Sequence, residues 1–369
     1  MKKLTCFLKN HAVMCVAALA ALITCFFVPP DAEYVGYFDA STLSCLFLTL
    51  AVIAALRNIK FFTILSRRLV VLAGTLRLLF LLLIVITFLG SMIIANDMAL
   101  ITFLPLGYFA LSVTHKENHM AYLFILQNIS ANLGGMLTPF GNPQNLYLYS
   151  YFHIETGAFL RVMTPPFLAA IALLALATLF VKNERLVITD DYHEHLNRPR
   201  AVLYLALFAF SLLIVFRVIP YYVGLVLITA VLLFADREAL VMVDYPLLLT
   251  FAFFFVFSGN LARIPAVNAF FSSLLETDTF LVSALSCQVI SNVPSAVLLS
   301  RFTENWKELL VGVNLGGTGT LIASLASLIT FSEFRVLYPG HTKQYLGLFF
   351  GINALFLILL SVFAKVFLF

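Results

Sequence analysis

The stretch Asn132–Asn145, which reads NLGGMLTPFGNPQN, most constrains how this chain can fold. It lies inside a long apolar segment, yet it contains three glycines, two prolines and three asparagines. Hydrocarbon offers no hydrogen-bond partners, so irregular backbone survives at membrane depth only where it is buried in protein or lines a cavity. The stretch therefore predicts a membrane-spanning helix that unwinds to build half of a transport site.

The composition of the chain supports a membrane setting. Of the 369 residues, 62% are hydrophobic and 11% are charged, whereas a typical soluble domain is about 45–50% apolar and about 25% charged. The chain is therefore predicted to be an all-α polytopic membrane protein that lies in the lipid bilayer. A net charge of +4 is too small to indicate a nucleic-acid partner.

The apolar runs predict about 10–11 membrane segments, in two halves that share one order of elements. Each half has spans, an amphipathic stretch at the interface, a re-entrant hairpin whose two arms meet at an asparagine, and a helix broken by glycines. The predicted units are a first repeat at 1–181 with its hairpin at 76–113 and broken helix at 120–148, a cytoplasmic linker at 182–200, and a second repeat at 201–369 with its hairpin at 278–300 and broken helix at 309–331.

Two short sequences recur between the halves. The run NLGG occurs in both breaks, and ANDMAL around Asn96 is matched by SNVPSAVLL around Asn292. Duplicated broken helices are the sequence sign of a secondary transporter, whose binding site lies where the two halves meet. The predicted helix-breaking residues are Asn132, Gly134, Gly135, Asn314, Gly316 and Gly317.

The distribution of basic residues predicts the orientation of the two halves. Cytoplasmic loops carry an excess of Lys and Arg, and a cytoplasmic N-terminus places most of the 22 Lys and Arg residues on the cytoplasmic side. This orientation puts the C-terminus outside, in a protein of the cytoplasmic (inner) membrane. The first hairpin then opens from the cytoplasm and the second from outside, so the repeats are predicted to be inverted.

Asp97 is the one acidic residue that the sequence places inside the membrane. An intramembrane acid is costly and is functional by default. Asp97 is interpreted as a cation ligand, a carrier of a coupling proton or a hydrogen-bonding group at the hairpin tip; the alternative is a surface turn between two complete spans. Asn96 and Asn292 hold the two tips, where a carboxamide can ligate a cation, donate to an anion or cap the second arm.

Polar side chains are concentrated in both breaks. Broken helices expose unpaired carbonyl groups that suit Na⁺ or H₃O⁺, and unpaired N–H groups at positive helix ends that suit anions. The alternative is a kink that serves packing alone. The candidate residues are Thr138, Gly141, Asn142, Gln144 and Asn145 in the first break, and Thr318, Thr320, Ser324 and Ser327 in the second.

Other chemistry has little support in the sequence. The five cysteines lack CxxC spacing and are predicted to be buried thiols. His193/His195 and His115/His119 have metal-like spacing but lie in charged loops without a supporting cysteine, so no metal site is predicted. No Lys follows GGTGT at P-loop spacing, and HExxH and triad patterns are absent. The chain is predicted not to be an enzyme and to use no cofactor beyond a coupling Na⁺ or H⁺.

Taken together, ANDMAL with the downstream Pro105, GGMLTPFGNPQN, SNVPS and NLGGTGTLIASLAS resemble motifs of the ion-transporter superfamily. This superfamily includes arsenite and other anion permeases, citrate and dicarboxylate symporters, and some sodium/proton antiporters. The resemblance is closest to the anion-permease branch, and it extends from about the second span to the second broken helix.

The resemblance implies a scaffold and a mobile transport domain with elevator-type alternating access, usually in a homodimer. It also implies one cation site in each half. The implied cation ligands are Asn96, Thr138, Gly141 and Asn142 in the first half, with Asp97 beside them, and Asn292, Thr320, Ala323 and Ser324 in the second. The anion is expected between these sites, against Asn96, Asn142, Pro143, Gln144, Asn145, Ser291, Asn292, Pro294, Ser295, Thr318 and Ser327.

The sequence also departs from this family pattern. Dicarboxylate symporters of this type carry Ser-Asn-Thr at both tips, whereas this chain has Ala-Asn-Asp and Ser-Asn-Val. No Lys or Arg is predicted inside the membrane to pair with carboxylates, so anion binding would depend on amides, hydroxyls and helix ends. The first break is rich in amides and adjoins an acid, so it is expected to hold the tighter cation site.

The function predicted from the sequence is secondary active transport of a small anion, an oxyanion or a carboxylate, driven by a Na⁺ or H⁺ gradient. The alternatives are a sodium/proton antiporter that uses Asp97, an arsenite-type anion exporter, and a receptor or assembly protein that has the same fold but transports nothing.

Overall fold

A computed structural model of the protein describes residues 12–186 and 196–369. The described part is all-helical; its one β feature is an isolated bridge between Thr75 and Arg185. The predicted linker at 182–200 lies partly outside the described residues, as do the N-terminal lysines and the pair His193/His195.

The helices follow the apolar runs of the sequence. In the first half they are α1 (Ala12–Phe27), α2 (Ala40–Asn58), α3 (Phe61–Val71), α4 (Leu76–Ile94), α5 (Asn96–Val113), α6 (Met120–Gly134), α7 (Pro143–Tyr151) and α8 (Thr156–Thr178). In the second half they are α9 (Arg198–Val215), α10 (Tyr221–Ala235), α11 (Arg237–Val241), α12 (Tyr245–Arg263), α13 (Pro265–Ile290), α14 (Asn292–Leu299), α15 (Trp306–Leu315), α16 (Leu325–Leu337) and α17 (Thr342–Phe367).

Seven helical stretches of the described chain are long and apolar enough to cross a membrane: Ala40–Asn58, Leu76–Ile94, Asn96–Val113, Thr156–Thr178, Arg198–Val215, Arg237–Arg263 (α11 together with α12) and Thr342–Phe367. Two further apolar helices, at Val13–Phe27 and Tyr221–Ala235, are shorter. The protein is therefore an integral membrane protein with multiple spans. Fewer helices qualify than the predicted segments because several helices around the breaks are too short to cross alone.

Most helix boundaries lie within a few residues of those that the apolar runs predict. The start of α2 is capped by Asp39, whose carboxylate accepts from the Thr42 N–H at 2.9 Å, and Thr75 caps α4 in the same way. Within α13, Asp278 has non-helical backbone angles (φ −165°, ψ 93°), so a kink separates the amphipathic stretch from the first arm of the second hairpin, at the residue where the sequence predicts that hairpin to begin.

Two groups of helices organise the packing. In one, α4 contacts α5 and α6, α13 contacts α14 and α15, and α8 and α17 cover them. The two halves interlock at the breaks, because α7 packs on α14 and α15 of the second half while α16 packs on α5 and α6 of the first. In the other group, α1 contacts α12, and α2 contacts α9 and α10.

Two glycines allow the arms of the hairpins to approach the broken helices closely. A β-carbon at Gly134 would lie 2.1 Å from the carbonyl oxygen of Phe88 on α4. At the corresponding point of the second half, a β-carbon at Gly316 would lie 2.8 Å from the carbonyl oxygen of Ala284 on α13. Since real β-carbons do not come so near to backbone, both crossings require glycine.

Charged side chains make contacts between helices at the two ends of the bundle. At the end where α2 finishes, Asn58 and the Tyr204 hydroxyl both donate to the Asp236 carboxylate at 3.1 Å. At the end where α2 begins, Arg263 bonds Asp31 at 2.6 Å and Arg301 donates to the Tyr37 carbonyl at 3.0 Å. These contacts define the two faces between which the apolar helices run.

Candidate functional site

The two hairpin tips share an unusual backbone conformation. Ala95 has φ 65° and ψ 159°, and Ser291 has φ 74° and ψ 159°. This region is essentially reserved for glycine, and other residues held there cost of order 1–3 kcal/mol each. The next residue, Asn96 or Asn292, begins the second arm and accepts a hydrogen bond from the following N–H at 3.0 or 2.9 Å. Matched strain at two tips points to a functional requirement.

Each broken helix is tied to the hairpin of its own half by a threonine. The Thr138 hydroxyl donates to the carbonyl oxygen of Met92 at 3.0 Å, and the Thr320 hydroxyl donates to that of Gln288 at 3.1 Å. Met92 and Gln288 each lie four residues before the tip asparagine of their hairpin. The two halves therefore repeat this contact as well as the sequence motifs.

A chain of buried amides joins the first tip to the first broken helix. Asn96 donates to the carboxamide oxygen of Asn132 at 3.0 Å, and Asn132 donates to the carbonyl of Asn128 at 3.2 Å. A β-carbon at Gly317 would lie 3.1 Å from Nδ2 of Asn292 and 3.8 Å from Oδ1 of Asn132. The backbone of the second break thus lies between Asn292 and the asparagine that bonds the first tip.

Hydrogen bonds also cross between the two breaks. Asn314 donates to Oδ1 of Asn145 at 2.6 Å, and Oδ1 of Asn314 accepts from Asn142 at 3.3 Å and from Gln144 at 3.4 Å. A similar crossing is made by Asn128, which donates to the hydroxyl of Ser327 at 3.2 Å. The side chains that form these crossings are neutral and almost fully buried. The two breaks therefore form one continuous polar centre inside an apolar protein.

Backbone carbonyls fix the orientation of these amides. Nδ2 of Asn145 donates to the carbonyls of Gly135, Met136 and Thr138 at 3.1–3.2 Å, and Nδ2 of Asn314 donates to that of Leu310 at 2.8 Å. A flipped amide would place oxygen against oxygen at each position. The nitrogen atoms of the network are consequently the hydrogen-bond donors.

Two oxygens at this centre accept no hydrogen bond from the part of the protein that the structure describes. They are Oδ1 of Asn142 and Oε1 of Gln144, both buried. A buried acceptor without a partner costs about 1–3 kcal/mol. The side-chain nitrogens of Asn142 and Gln144 already donate hydrogen bonds. Each side-chain oxygen can therefore still accept a hydrogen bond or ligate a cation.

The second break depends on a residue that the sequence did not single out, Gln288 of α13. Its Nε2 donates to the carbonyls of Gly316 at 2.7 Å and Thr318 at 3.1 Å, and its Oε1 accepts from the N–H of Thr320 at 2.9 Å. A single glutamine therefore satisfies three backbone groups of the unwound segment. The same position in the first half is occupied by Met92.

The remaining candidates of the second half contact either the hairpin tip or residues close to them in the sequence. The backbone N–H of Asn292 donates to the carbonyl of Ala323 at 3.0 Å, which joins the tip to the break. The hydroxyls of Ser324 and Ser327 lie 3.0 Å apart, whereas the Thr318 hydroxyl donates to the carbonyl of Leu315, the last residue of α15, at 2.6 Å. The further predicted residues Ser291, Pro294 and Ser295 lie at or just after the tip, and Pro143 begins α7.

Asp97 occupies a different environment from its neighbour Asn96. Its carboxylate is buried, accepts from the Met98 N–H, and interacts electrostatically with Arg57 and Asp244. No described hydrogen bond joins that carboxylate to the first break. The side chain therefore lies toward α2 and the start of α12.

Breaks rich in glycine, strained tips between helices and a buried polar centre within a bundle of membrane-spanning helices are features of a membrane transporter. Comparison with known proteins gives the particular family. The citrate transporter (CitMHS) family model matches residues 4–305, and the chain belongs to that family. This is a family of transporters and not of enzymes, which confirms the expected membership of the ion-transporter superfamily.

Two known proteins are similar to this chain over most of their length. The chain is 34% identical over 333 residues to the uncharacterized transporter MJ0456 of Methanocaldococcus jannaschii. The aligned region covers 88% of this chain and 89% of that protein. It is 31% identical over 283 residues to the inner membrane protein YbiR of Escherichia coli K12, which covers 73% of each.

Proposed function

We propose that this protein is a secondary active transporter that moves a small anion across the cytoplasmic membrane with a coupling Na⁺ or H⁺. The observation that carries the proposal is the buried polar centre where Asn142 and Gln144 of the first break meet Asn314 of the second. An apolar membrane protein maintains such a centre at considerable cost, and polar groups at membrane depth are retained for function.

The proposed architecture is a pair of inverted repeats at 1–181 and 201–369, each with a re-entrant hairpin. The matched dihedral angles of Ala95 and Ser291 and the matched bonds of Thr138 and Thr320 support a duplicated unit. In this proposal α4–α8 and α13–α17 form the mobile transport domain of an elevator, and α1, α2 and α9–α12 form the scaffold and dimer contact.

The unused oxygens of Asn142 and Gln144 support a cation at the first half-site. Oxygen ligands suit Na⁺, and the donors of the network are already engaged within the protein. The N-terminus of α7 at Pro143 has no side-chain cap, and the positive end of a helix favours an anion. A bound cation would therefore supply the charge that the neutral side chains lack, and the anion would bind after it.

The family makes citrate and related carboxylates the first substrates to test, with oxyanions second. The purified protein is reconstituted into liposomes, and uptake of labelled citrate, succinate, phosphate and arsenite is measured under imposed Na⁺ and H⁺ gradients. We expect uptake of one anion class to require one of the two gradients. Absence of flux, together with a melting temperature insensitive to Na⁺, pH and every anion, would indicate a receptor or assembly protein instead.

The inverted arrangement predicts that the two loops after the hairpins lie on opposite sides of the membrane. Asn118 follows the first hairpin, Glu304 follows the second, and both are exposed. In a background without the five native cysteines, we expect Asn118→Cys to react with a membrane-impermeant maleimide from the cytoplasmic side and Glu304→Cys from outside. Labelling of both from the same side would refute inversion.

A further inference from the structure

Two arginines bond across the boundary between the two groups of helices, at the end of the bundle where α2 begins. Arg217 lies in the link between α9 and α10, and its guanidinium donates to the carbonyl oxygens of Tyr149 and Ile154, the latter at 3.3 Å. Arg301 follows α14 and donates to the carbonyl oxygen of Tyr37, between α1 and α2, at 3.0 Å. Each arginine therefore comes from one group of helices and bonds the backbone of the other.

Aromatic rings of α7 support both guanidinium groups. Arg217 lies over the ring of Tyr149 at 4.3 Å, and Arg301 lies over the ring of Tyr151 at 5.2 Å, within the range of cation–π attraction. The Tyr149 hydroxyl is itself held by the hydroxyl of Thr156 at 2.8 Å. These positions suit arginine rather than lysine, because a planar guanidinium can bond two carbonyl groups and stack on a ring at the same time.

The helix that these arginines contact leads directly to the polar centre. Asn142 caps the start of α7, and the nine residues from Pro143 to Tyr151 extend about 13 Å. The first turn of α7 carries the unused oxygen of Gln144 beside that of Asn142, and its last turn carries the contact with Arg217. Any displacement of the first break along the membrane normal would therefore carry the end of α7 away from Arg217.

These contacts can be broken without leaving a buried charge unpaired. Both arginines bond neutral carbonyl groups, and Arg217 is exposed to solvent. The Tyr149 carbonyl also accepts from the Ile154 N–H at 3.1 Å, so it keeps a partner when the arginine leaves. A buried ion pair, by contrast, is costly to separate because each partner becomes an uncompensated charge. Pairing of arginine with carbonyl groups therefore suits a contact that forms and breaks repeatedly.

We propose that Arg217 and Arg301 form a reciprocal clamp, which holds the mobile transport domain against the scaffold in the conformation of this structure and releases when the domain moves. This inference rests on the division into scaffold and transport domain made under the proposed function. Charge-assisted hydrogen bonds and cation–π contacts stabilise the clamped conformation relative to the released one. The clamp therefore sets the fraction of the protein that is in this conformation before any anion binds.

The test measures the distance between the two domains by double electron–electron resonance on the full-length protein in liposomes. Spin labels are attached at Val35→Cys in the scaffold and Glu304→Cys in the transport domain, two exposed positions, in a background without the five native cysteines. Arg217→Gln/Arg301→Gln is expected to raise the population of a second distance, relative to the first, by about 100-fold, which is about tenfold for each arginine. A distance distribution unchanged by the double substitution would overturn the proposal.

The matched control is Arg161→Gln. Arg161 is also exposed and donates to a backbone carbonyl, that of Gly157 at 3.2 Å, but both residues belong to α8. Its loss should leave the distances unchanged, and a rise equal to that of the clamp variant would overturn the proposal. If the double variant does not fold, Arg217→Lys keeps the charge but loses the two-carbonyl geometry, and it should raise the second population about threefold.

Anion uptake by the same proteoliposomes separates this proposal from the proposed function. Uptake by a protein whose domain distances do not respond to loss of Arg217 and Arg301 would overturn the clamp alone. A response of the distances in a protein that takes up no anion would support the clamp and contradict only the proposed transport.

Discussion

Asn142→Ala and Asn292→Ala are each expected to abolish cation-dependent anion uptake, with a loss of about 100-fold or more, equivalent to about 3 kcal/mol. Asn142 donates to the Asn132 carbonyl and to Asn314, so it joins the first break to the second. Asn292 holds the strained tip of the second hairpin. Alanine removes the proposed cation ligand at each half-site and leaves the apolar packing of the helices in place.

The control for this prediction is Asn260→Ala. Asn260 is also fully buried and donates to Thr24 at 3.1 Å, but it joins α12 to α1, away from the breaks. Its loss should lower thermal stability by about 1–3 kcal/mol and leave the cation dependence of uptake unaltered. Uptake is measured in proteoliposomes with equal amounts of inserted protein. Normal anion uptake by both the Asn142→Ala and the Asn292→Ala variant would contradict the assignment of this site.

The helices could be predicted from the sequence because lipid imposes a strong rule. A span needs about 20 apolar residues, so Ala40–Asn58 and Leu76–Ile94 stand out as uninterrupted runs. The breaks could be located for the opposite reason, since glycine, proline and asparagine are poorly tolerated in a lipid-facing helix. The duplicated NLGG motif then paired the two breaks.

Individual hydrogen bonds could not be predicted in the same way. Gln288 and Asn128 lie in largely apolar helices, and nothing in their spacing shows which groups they reach. Gln288 acquires its importance from the unwound backbone at Gly316–Thr320, whose path is set by tertiary packing. Asn128 bonds Ser327 of the other half, a pairing of residues far apart in sequence.

Helix geometry explains why the side chains of Asp97 and Asn96 face different parts of the protein. Successive residues of an α-helix point about 100° apart, so Asn96 and Asp97 at the start of α5 cannot both face the break. Asn96 bonds Asn132, and Asp97 therefore faces Arg57 and Asp244. The role of Asp97 as a cation ligand or a proton carrier stays a prediction. Measuring anion uptake by the Asp97→Asn variant under a Na⁺ gradient and under a H⁺ gradient distinguishes the two roles.

Gln288→Met is expected to disorganise the second break while keeping the volume of the side chain. It removes the partners of the Gly316 and Thr318 carbonyls and of the Thr320 N–H. Each buried group left unsatisfied costs about 1–3 kcal/mol, and water reaches part of this half-buried site. The total is still a large fraction of the about 5–15 kcal/mol that stabilises a typical fold, so we expect a clearly lower melting temperature and a weakened cation dependence.

The equivalent position of the first half supplies the matched control. Met92 lies at the same distance from its tip, and only its backbone carbonyl bonds the first break. Met92→Leu is close in volume and should cost under about 1.5 kcal/mol, with cation dependence retained. The contrast between the two variants, measured as melting temperature against Na⁺ concentration, isolates the hydrogen bonds of Gln288 from general packing. Equal behaviour of Gln288→Met and Met92→Leu would show that the second break holds its shape without this side chain.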